Sequence, residues 1–278
     1  MNSFIKLENS NLLVLVDINY GGKIVKLTNK KNGSNWVWFN DKNYLKFSPA
    51  QYSDYDSQWI GGYEELYPND KVELINGKHA PDHGELWSSS WEITSNTRTS
   101  LEIKCEGYFS NSMIIKKFEL IGNKLFVNFE IKEIKFKNYL FKLHLAFPIN
   151  SHAVEFEFES FKKVDQQFGD IVQDENLNDF LSSINADEGR NDFVYFYGID
   201  SEIKIFDQNK NVCILEYDKD TLPYFWIFQS RGGWNNLNVN VLEPCNSGLK
   251  DIQTAAKNNL IYIPNDNNFY TWYTIELI

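Results

Sequence analysis

An all-β fold, built as a large antiparallel β-sandwich with few short helices, is what this 278-residue sequence predicts. Three observations carry that prediction. Apolar residues recur at every second position over much of the chain, which is the pattern of half-buried antiparallel strands. Aromatic residues make up 16% of the sequence, and they sit well on pleated surfaces. No repeated strand–helix alternation occurs, which disfavours a parallel α/β sheet. Sandwiches of this kind reach such a length as one unit, and no Pro-, Gly- or Ser-rich linker divides the chain. Residues 1–278 therefore read as a single domain.

The elements follow in order. "LLVLV" (12–16), bounded by Asn11 and Asp17, is strand-like, and 35–39 reads the same way. A strand is expected around Trp91, after the turn-rich "APDHGE", and "LEIKCEG" (101–107) and 113–121 continue the pattern. In "KLFVNFEIKEI" (124–134), Leu125, Val127, Phe129 and Ile131 face one way while Asn128, Glu130 and Lys132 face the other. Further strands are predicted at 139–149, 154–160, 192–199, 202–207, 211–218, 224–230, 236–245, 259–264 and 269–278. Turn residues punctuate them in "KNGS", "LIGNK", "DQNKN" and "IPNDNN". Helix is confined to a short candidate in 170–189 and one or two turns in 248–259.

Charge and cysteine usage narrow the function classes. A formal net charge of −11 argues against nucleic acid, whose phosphates call for a lysine- and arginine-rich surface. Arginine, the usual bidentate clamp for phosphate, occurs only at Arg98, Arg190 and Arg231, which leans toward an uncharged ligand. Lysines are numerous enough to leave a phosphorylated one open. Cys105, Cys213 and Cys245 lie far apart and are odd in number, so neither a disulfide framework nor a zinc ribbon is expected. No apolar run approaches membrane-spanning length and the first residues lack a basic-then-apolar leader, so a cytoplasmic protein is expected.

Four residues stand out as chemically able. His83 sits between Asp82 and Gly84 in a turn, where it is a structural residue, a metal ligand or a proton donor. His79 lies four positions earlier, but Pro81 between them breaks the helix that would align both imidazoles on one metal. His144, in "YLFKLHLAFPI", shares its parity with Leu140, Lys142 and Ala146, not with the more apolar row Phe141, Leu143, Leu145 and Phe147. On the floor of a cleft it is a general-acid candidate; elsewhere it is a solvated strand histidine. Glu243, in "NNLNVNVLEPCNSG", continues the row Leu237, Val239, Val241. Burial there raises a carboxyl's pKa and suits it to act as a base at neutral pH; re-aimed by Pro244, it is instead a strand-end carboxylate capping a turn. Trp226 is a candidate to stack on a sugar ring and Gln229 to hydrogen-bond one, although core packing is the more ordinary role for the tryptophan.

Taken in order, "GGYEELYPND" (61–70), "PDHGELW" (81–87), "KLHLAFPI" (142–149) and "VLEPCNSG" (241–248) resemble the motifs of the aldose 1-epimerase (galactose mutarotase-like) family. The resemblance spans nearly the whole chain, and the ordered set is far more specific than any one piece. It implies the galactose mutarotase-like supersandwich and conversion of one sugar anomer into the other, with no cofactor and no metal. It implies Glu243 as the base, His144 as the general acid and His83 as the group that orients the ring oxygen and anomeric centre. The substrate it implies is a monosaccharide, free or phosphorylated. One departure stands out. Members commonly carry an arginine close to the asparagine matched by Asn69, where this chain has Asp70. Glu64 and Asp82 are the candidates for the acidic residue that holds a sugar hydroxyl. A carbohydrate-binding protein without catalysis, and a glycosidase using Glu243 with Asp82 or Glu64, are the other readings.

Overall fold

The computed structural model describes residues 4–44, 49–148, 153–164, 171–172, 189–200 and 202–278. Two large sheets dominate. The first has ten strands in the spatial order β1 (Ile5–Glu8), β2 (Leu12–Asp17), β3 (Lys23–Asn29), β4 (Tyr63–Leu66), β11 (Lys142–Pro148), β19 (Asn238–Cys245), β18 (Tyr224–Arg231), β15 (Arg190–Tyr197), β13 (Ser160–Val164) and β14 (Ile171–Val172). The second has eight: β12 (Ala153–Glu155), β16 (Glu202–Phe206), β17 (Val212–Tyr217), β20 (Phe269–Leu277), β10 (Lys124–Lys132), β9 (Met113–Ile121), β8 (Ser100–Glu106) and β7 (Glu92–Asn96). A hairpin of β5 (Leu74–Ile75) and β6 (Lys78–His79) stands apart. The pairings are antiparallel. Among the described residues helix is limited to α1 (Asp41–Tyr44), α2 (Tyr55–Gln58), α3 (Ile252–Lys257) and a 3-10 turn at Leu86–Ser88. Among the described residues no helix is long and apolar enough to cross a membrane.

The alternation read from the sequence sets which side chains enter the sandwich. Leu125, Val127, Phe129 and Ile131 of β10 join Phe141, Leu143, Leu145 and Phe147 from the β11 region in one core cluster drawn from both sheets. Residues of opposite parity on the ten-stranded sheet, including Ala146, Val239 and Val241, belong to a separate cluster on its other face. All three cysteines are buried and free.

Three expected strands differ from the structure. Residues 35–39 form single bridges only, Thr28–Asn35 and Phe39–Gly61. Trp36 N–H bonds to Leu27 while Trp38 N–H bonds to Ala146, so the segment spends its backbone groups on different neighbours and builds no ladder. The 154–160 run is split because the chain changes sheets there, from β12 in one to β13 in the other. Residues 259–264 bridge only Ser247, bonding to the turn that follows β19, whose carbonyls and N–H groups face them for barely three residues. The predicted turns of helix in 248–259 are α3, capped by the Asp251 side chain on the N–H of Thr254. The helix candidate in 170–189 falls almost entirely outside the described residues.

Buried charge links the two sheets. In β4, Glu64 points to the outer face of the ten-stranded sheet and Glu65 into the sandwich. There Glu65 meets Lys116 of β9 at 2.5 Å, and the same ammonium donates to the carbonyl of Gly22 at 3.0 Å. Burial pushes the Glu65 carboxyl up to about 7 against the pull of Lys116. On the other side, Lys23 lies 2.5 Å from Glu64.

Candidate active site

The site lies on the face of the ten-stranded sheet turned away from the sandwich core. Strand parity puts Lys142 and His144 of β11 beside Val241 and Glu243 of β19 on that face, while Leu143, Leu145 and Leu242 enter the core. Register sets their neighbours: His144 pairs with Glu64 across β4, and Glu243 pairs with Trp226 across β18. A cleft of about 350 Å³ opens above them, with Tyr55, Asp56, Trp59, Asp70, His83 and Lys250 contributed by helices and loops. Trp234, Phe228 and Phe193 supply an aromatic side.

Two loops are pinned together to deliver His83. The His83 N–H donates to the carbonyl of Asp70 (2.7 Å), the Glu85 N–H to that of Tyr67 (2.8 Å), and the Asn69 amide to that of Pro81 (2.6 Å). The "YPND" and "PDHG" stretches are thus one layer on another. Both His83 (φ 54°) and Gly84 (φ 72°) adopt the left-handed region. At Gly84 the need for glycine is strict, since a Cβ would stand 2.3 Å from the Tyr67 carbonyl oxygen. Gly84→Ala is expected to destabilise the fold by more than about 1 kcal/mol, read by urea denaturation, because strain and backbone contact act together.

The imidazoles have different surroundings. His83 stacks on Tyr55 with centroids 4.0 Å apart and planes at 12°, and its Nδ1 lies 2.9 Å from an Asp82 carboxylate oxygen. Burial works against the Asp82 charge, yet His83 and the Tyr55 N–H draw its carboxyl below the ordinary range. His144 is more deeply enclosed, with Nε2 3.7 Å from Glu243 and Nδ1 3.3 Å from the Tyr55 hydroxyl. That hydroxyl donates its one proton to Glu64 at 2.6 Å, so its oxygen accepts from Nδ1–H of His144. This tautomer, assigned from the hydrogen-bond network, turns the Nε2 lone pair toward Glu243. Burial, and next the Lys142 ammonium, push the His144 pKa well below its ordinary value, so the ring is held neutral.

Glu243 is buried at the cleft floor, and burial pushes its carboxyl upward while the Lys142 ammonium, 2.6 Å from Oε2, opposes that shift. Lys142 also meets Asp70 at 2.5 Å and lies 4.6 Å above the Trp226 ring. Burial alone lowers an amine's pKa, but the two carboxylates raise that of Lys142, so it is a fixed cation.

The residues singled out from sequence therefore divide cleanly. Glu243, His144 and His83 converge on one cleft. Asp82, Glu64 and Asn69 lie behind it: Asp82 holds His83, Glu64 accepts from Tyr55 and from the Trp59 indole (3.0 Å), and Asn69 ties the two loops. Trp226 does not line the cleft. It is fully buried, stacked on Tyr195 at 4.4 Å and covered by Lys142, which leaves it no ring face for a sugar. Gln229, of opposite parity to the cleft-lining Phe228, does not line it either. His79 is exposed on the hairpin of β5 and β6. Lys142, Tyr55, Trp59, Trp234 and Lys250 were not singled out from the sequence, and Asp70 stood out there only as a departure from the family motif. Lys142 had a usable signal in its parity with His144; Trp59 and Trp234 sit in irregular segments where periodicity says nothing.

No protein-family model and no curated protein matches the chain. Solved structures do. A provisionally named aldose 1-epimerase from Escherichia coli K12 superposes with a TM-score of 0.75 at 14% identity, covering 99% of each chain. The Slr1438 protein from Synechocystis sp. PCC 6803 gives 0.75 at 14%, over 100% of this chain and 96% of that one. A galactose mutarotase-like protein from Lactobacillus casei gives 0.69 at 15%, over 99% and 100%. Matching sheets over the whole described chain, with the ordered motifs brought to one cleft, give this protein the galactose mutarotase-like fold.

Proposed function

We propose that the protein is an aldose 1-epimerase that interconverts the α and β anomers of a monosaccharide by acid–base ring opening. The observation that carries the reading is the convergence of Glu243, His83 and His144 on one cleft. Glu243 removes the proton of the anomeric hydroxyl, the oxygen's electron pair forms the C1 carbonyl, and the C1–O5 bond breaks as O5 takes a proton. Rotation about C1–C2 followed by the reverse transfers yields the other anomer. Each proton moves between groups already in the cleft.

Of the two imidazoles, His83 is the better donor to O5. Its Nδ1 is held by the Asp82 carboxylate, which leaves Nε2 as the ring nitrogen for the substrate. His144, held neutral with its Nε2 lone pair toward Glu243, serves to accept a hydrogen bond and to orient the sugar. This exchanges the roles that the motif resemblance implies for the pair. Trp59 and Trp234 offer apolar ring faces for the sugar's C–H surface.

Anomeric exchange followed by NMR at neutral pH, over hexoses, pentoses and their phosphates, tests the reading. Acceleration over buffer for at least one sugar is expected; equal rates across the panel reject it. The aromatic side of the cleft also favours a second reading, sugar binding without turnover, which calorimetric binding with no acceleration would select. A glycosidase needs a protonated carboxyl opposite a charged one. Of the carboxylates considered for that role, Asp82 is engaged by His83 and the Tyr55 N–H and Glu64 by Lys23, Tyr55 and Trp59, and neither lines the cleft with Glu243.

A further inference from the structure

We propose that Asp70 and Lys142 are positioning residues that form, with Glu243, a buried carboxylate–ammonium–carboxylate bridge setting the orientation and the proton affinity of the base. The inference rests on the epimerase reading for its kinetic consequence, but its electrostatic content stands independently. One ammonium is shared between two carboxylates, at 2.5 Å and 2.6 Å, and all three groups are at most 2% exposed. Water therefore screens little of their mutual field.

The geometry makes the two partners act in opposite directions. Lys142 favours the charged form of Glu243. Asp70 repels that charge and draws the same ammonium to itself. The base is tuned by the balance between them, and Asp70 in turn is restrained by Lys250, 3.5 Å from its other oxygen. The position of Lys142 is fixed from below by the Trp226 ring and along the chain by the pairing of β11 with both β4 and β19. Asp70 is fixed by its loop, whose carbonyl receives the His83 N–H. A single loop thus holds one end of the bridge and the neighbouring imidazole.

Other groups face Glu243 without providing this balance. His144 of β11 is neutral. Tyr55 of α2 and Tyr195 of β15 are phenols pushed well up by burial, and Cys245 on the same strand is a thiol pushed up likewise, so none carries charge near neutral pH. Lys250 pulls the Glu243 carboxyl down directly, behind Lys142, and also touches Asp70. Asp56 and His83 line the same cleft, but the charged groups joined to Glu243 in the bridge are Lys142 and Asp70.

The test is a pair of substitutions with opposite signs. In Lys142→Met the base loses its cation, and the acidic limb of the kcat/KM–pH profile is expected to move up by about one pH unit or more. In Asp70→Asn a like charge disappears and Lys142 is left to Glu243, so the limb moves down. Lys142→Arg keeps the cation and returns the limb toward wild type. Titration of the Glu243 carboxyl, by NMR of glutamate labelled at the side-chain carbonyl carbon and assigned by its absence in Glu243→Gln, gives the same shifts without any substrate. A merely structural role would lower activity in both variants without moving the two midpoints apart. Shifts of equal sign, or none, in folded protein overturn the proposal. If Lys142→Met does not fold, a carboxyl midpoint in Asp70→Asn that stays put or rises overturns it alone. If the wild type accelerates no sugar, the epimerase reading fails while the carboxyl titration still decides the bridge.

Discussion

Glu243→Gln slows anomeric exchange by about 10²–10⁴-fold, the usual contribution of a positioned acid or base. The amide keeps the size of the carboxylate and cannot accept the anomeric proton. It also leaves Lys142 with Asp70 as its one charged partner at contact distance, so the cleft floor keeps a balanced ion pair. The loss should fall on kcat with little change in KM, because Trp59, Trp234 and His83 still line the cleft for binding. Saturation-transfer NMR on the best sugar of the panel measures both parameters. A rate within threefold of wild type would remove Glu243 from the chemistry, and with it the mechanism.

The second large effect concerns stability. Glu65→Leu strands the Lys116 ammonium between the sheets, where the carbonyl of Gly22 is its remaining hydrogen-bond acceptor. Removing one partner of a buried ion pair costs about 3–5 kcal/mol, because the other is left without compensation. The double substitution Glu65→Leu with Lys116→Met replaces both by apolar groups and should recover most of that loss, since a well-packed apolar pair is often as stable as the ions it replaces. Urea denaturation of wild type, both single variants and the double variant gives the coupling directly. A Glu65→Leu variant as stable as wild type would mean that the pair contributes nothing to holding the sheets.

Much of the fold was legible because one signal, parity, governs a sheet. The same alternation that placed Leu125, Val127, Phe129 and Ile131 in the core placed His144 outside the row of Leu143 and Leu145, and it kept Glu243 in register with Val241. Parity also carried the cleft floor, since Lys142 shares the face of His144. It failed where the chain leaves a ladder. Trp36–Phe39 bonds to different neighbours in turn, and the 154–160 run changes sheets midway. It also says which face a side chain takes, never what covers it. Trp226 has the parity of Phe228 and still misses the cleft, because Lys142 lies over its ring and Tyr195 stacks on it. The role of Asp70 was hidden for a related reason: the departure at that position is visible in the sequence, but the lysine that answers it lies 72 residues away and meets it only through the fold.

Glu64 and Glu65 of β4 are chemically identical neighbours that serve unrelated ends. One hangs under the cleft, receiving the Tyr55 hydroxyl and the Trp59 indole, and the other clamps the two sheets from inside. A survey that replaced every residue in turn and scored only surviving activity would rank the two alike, one for a collapsed pocket wall and one for a molecule that no longer assembles. Strand β4 is a partition one residue thick, and the meaning of a defect there depends on which side of the wall it falls.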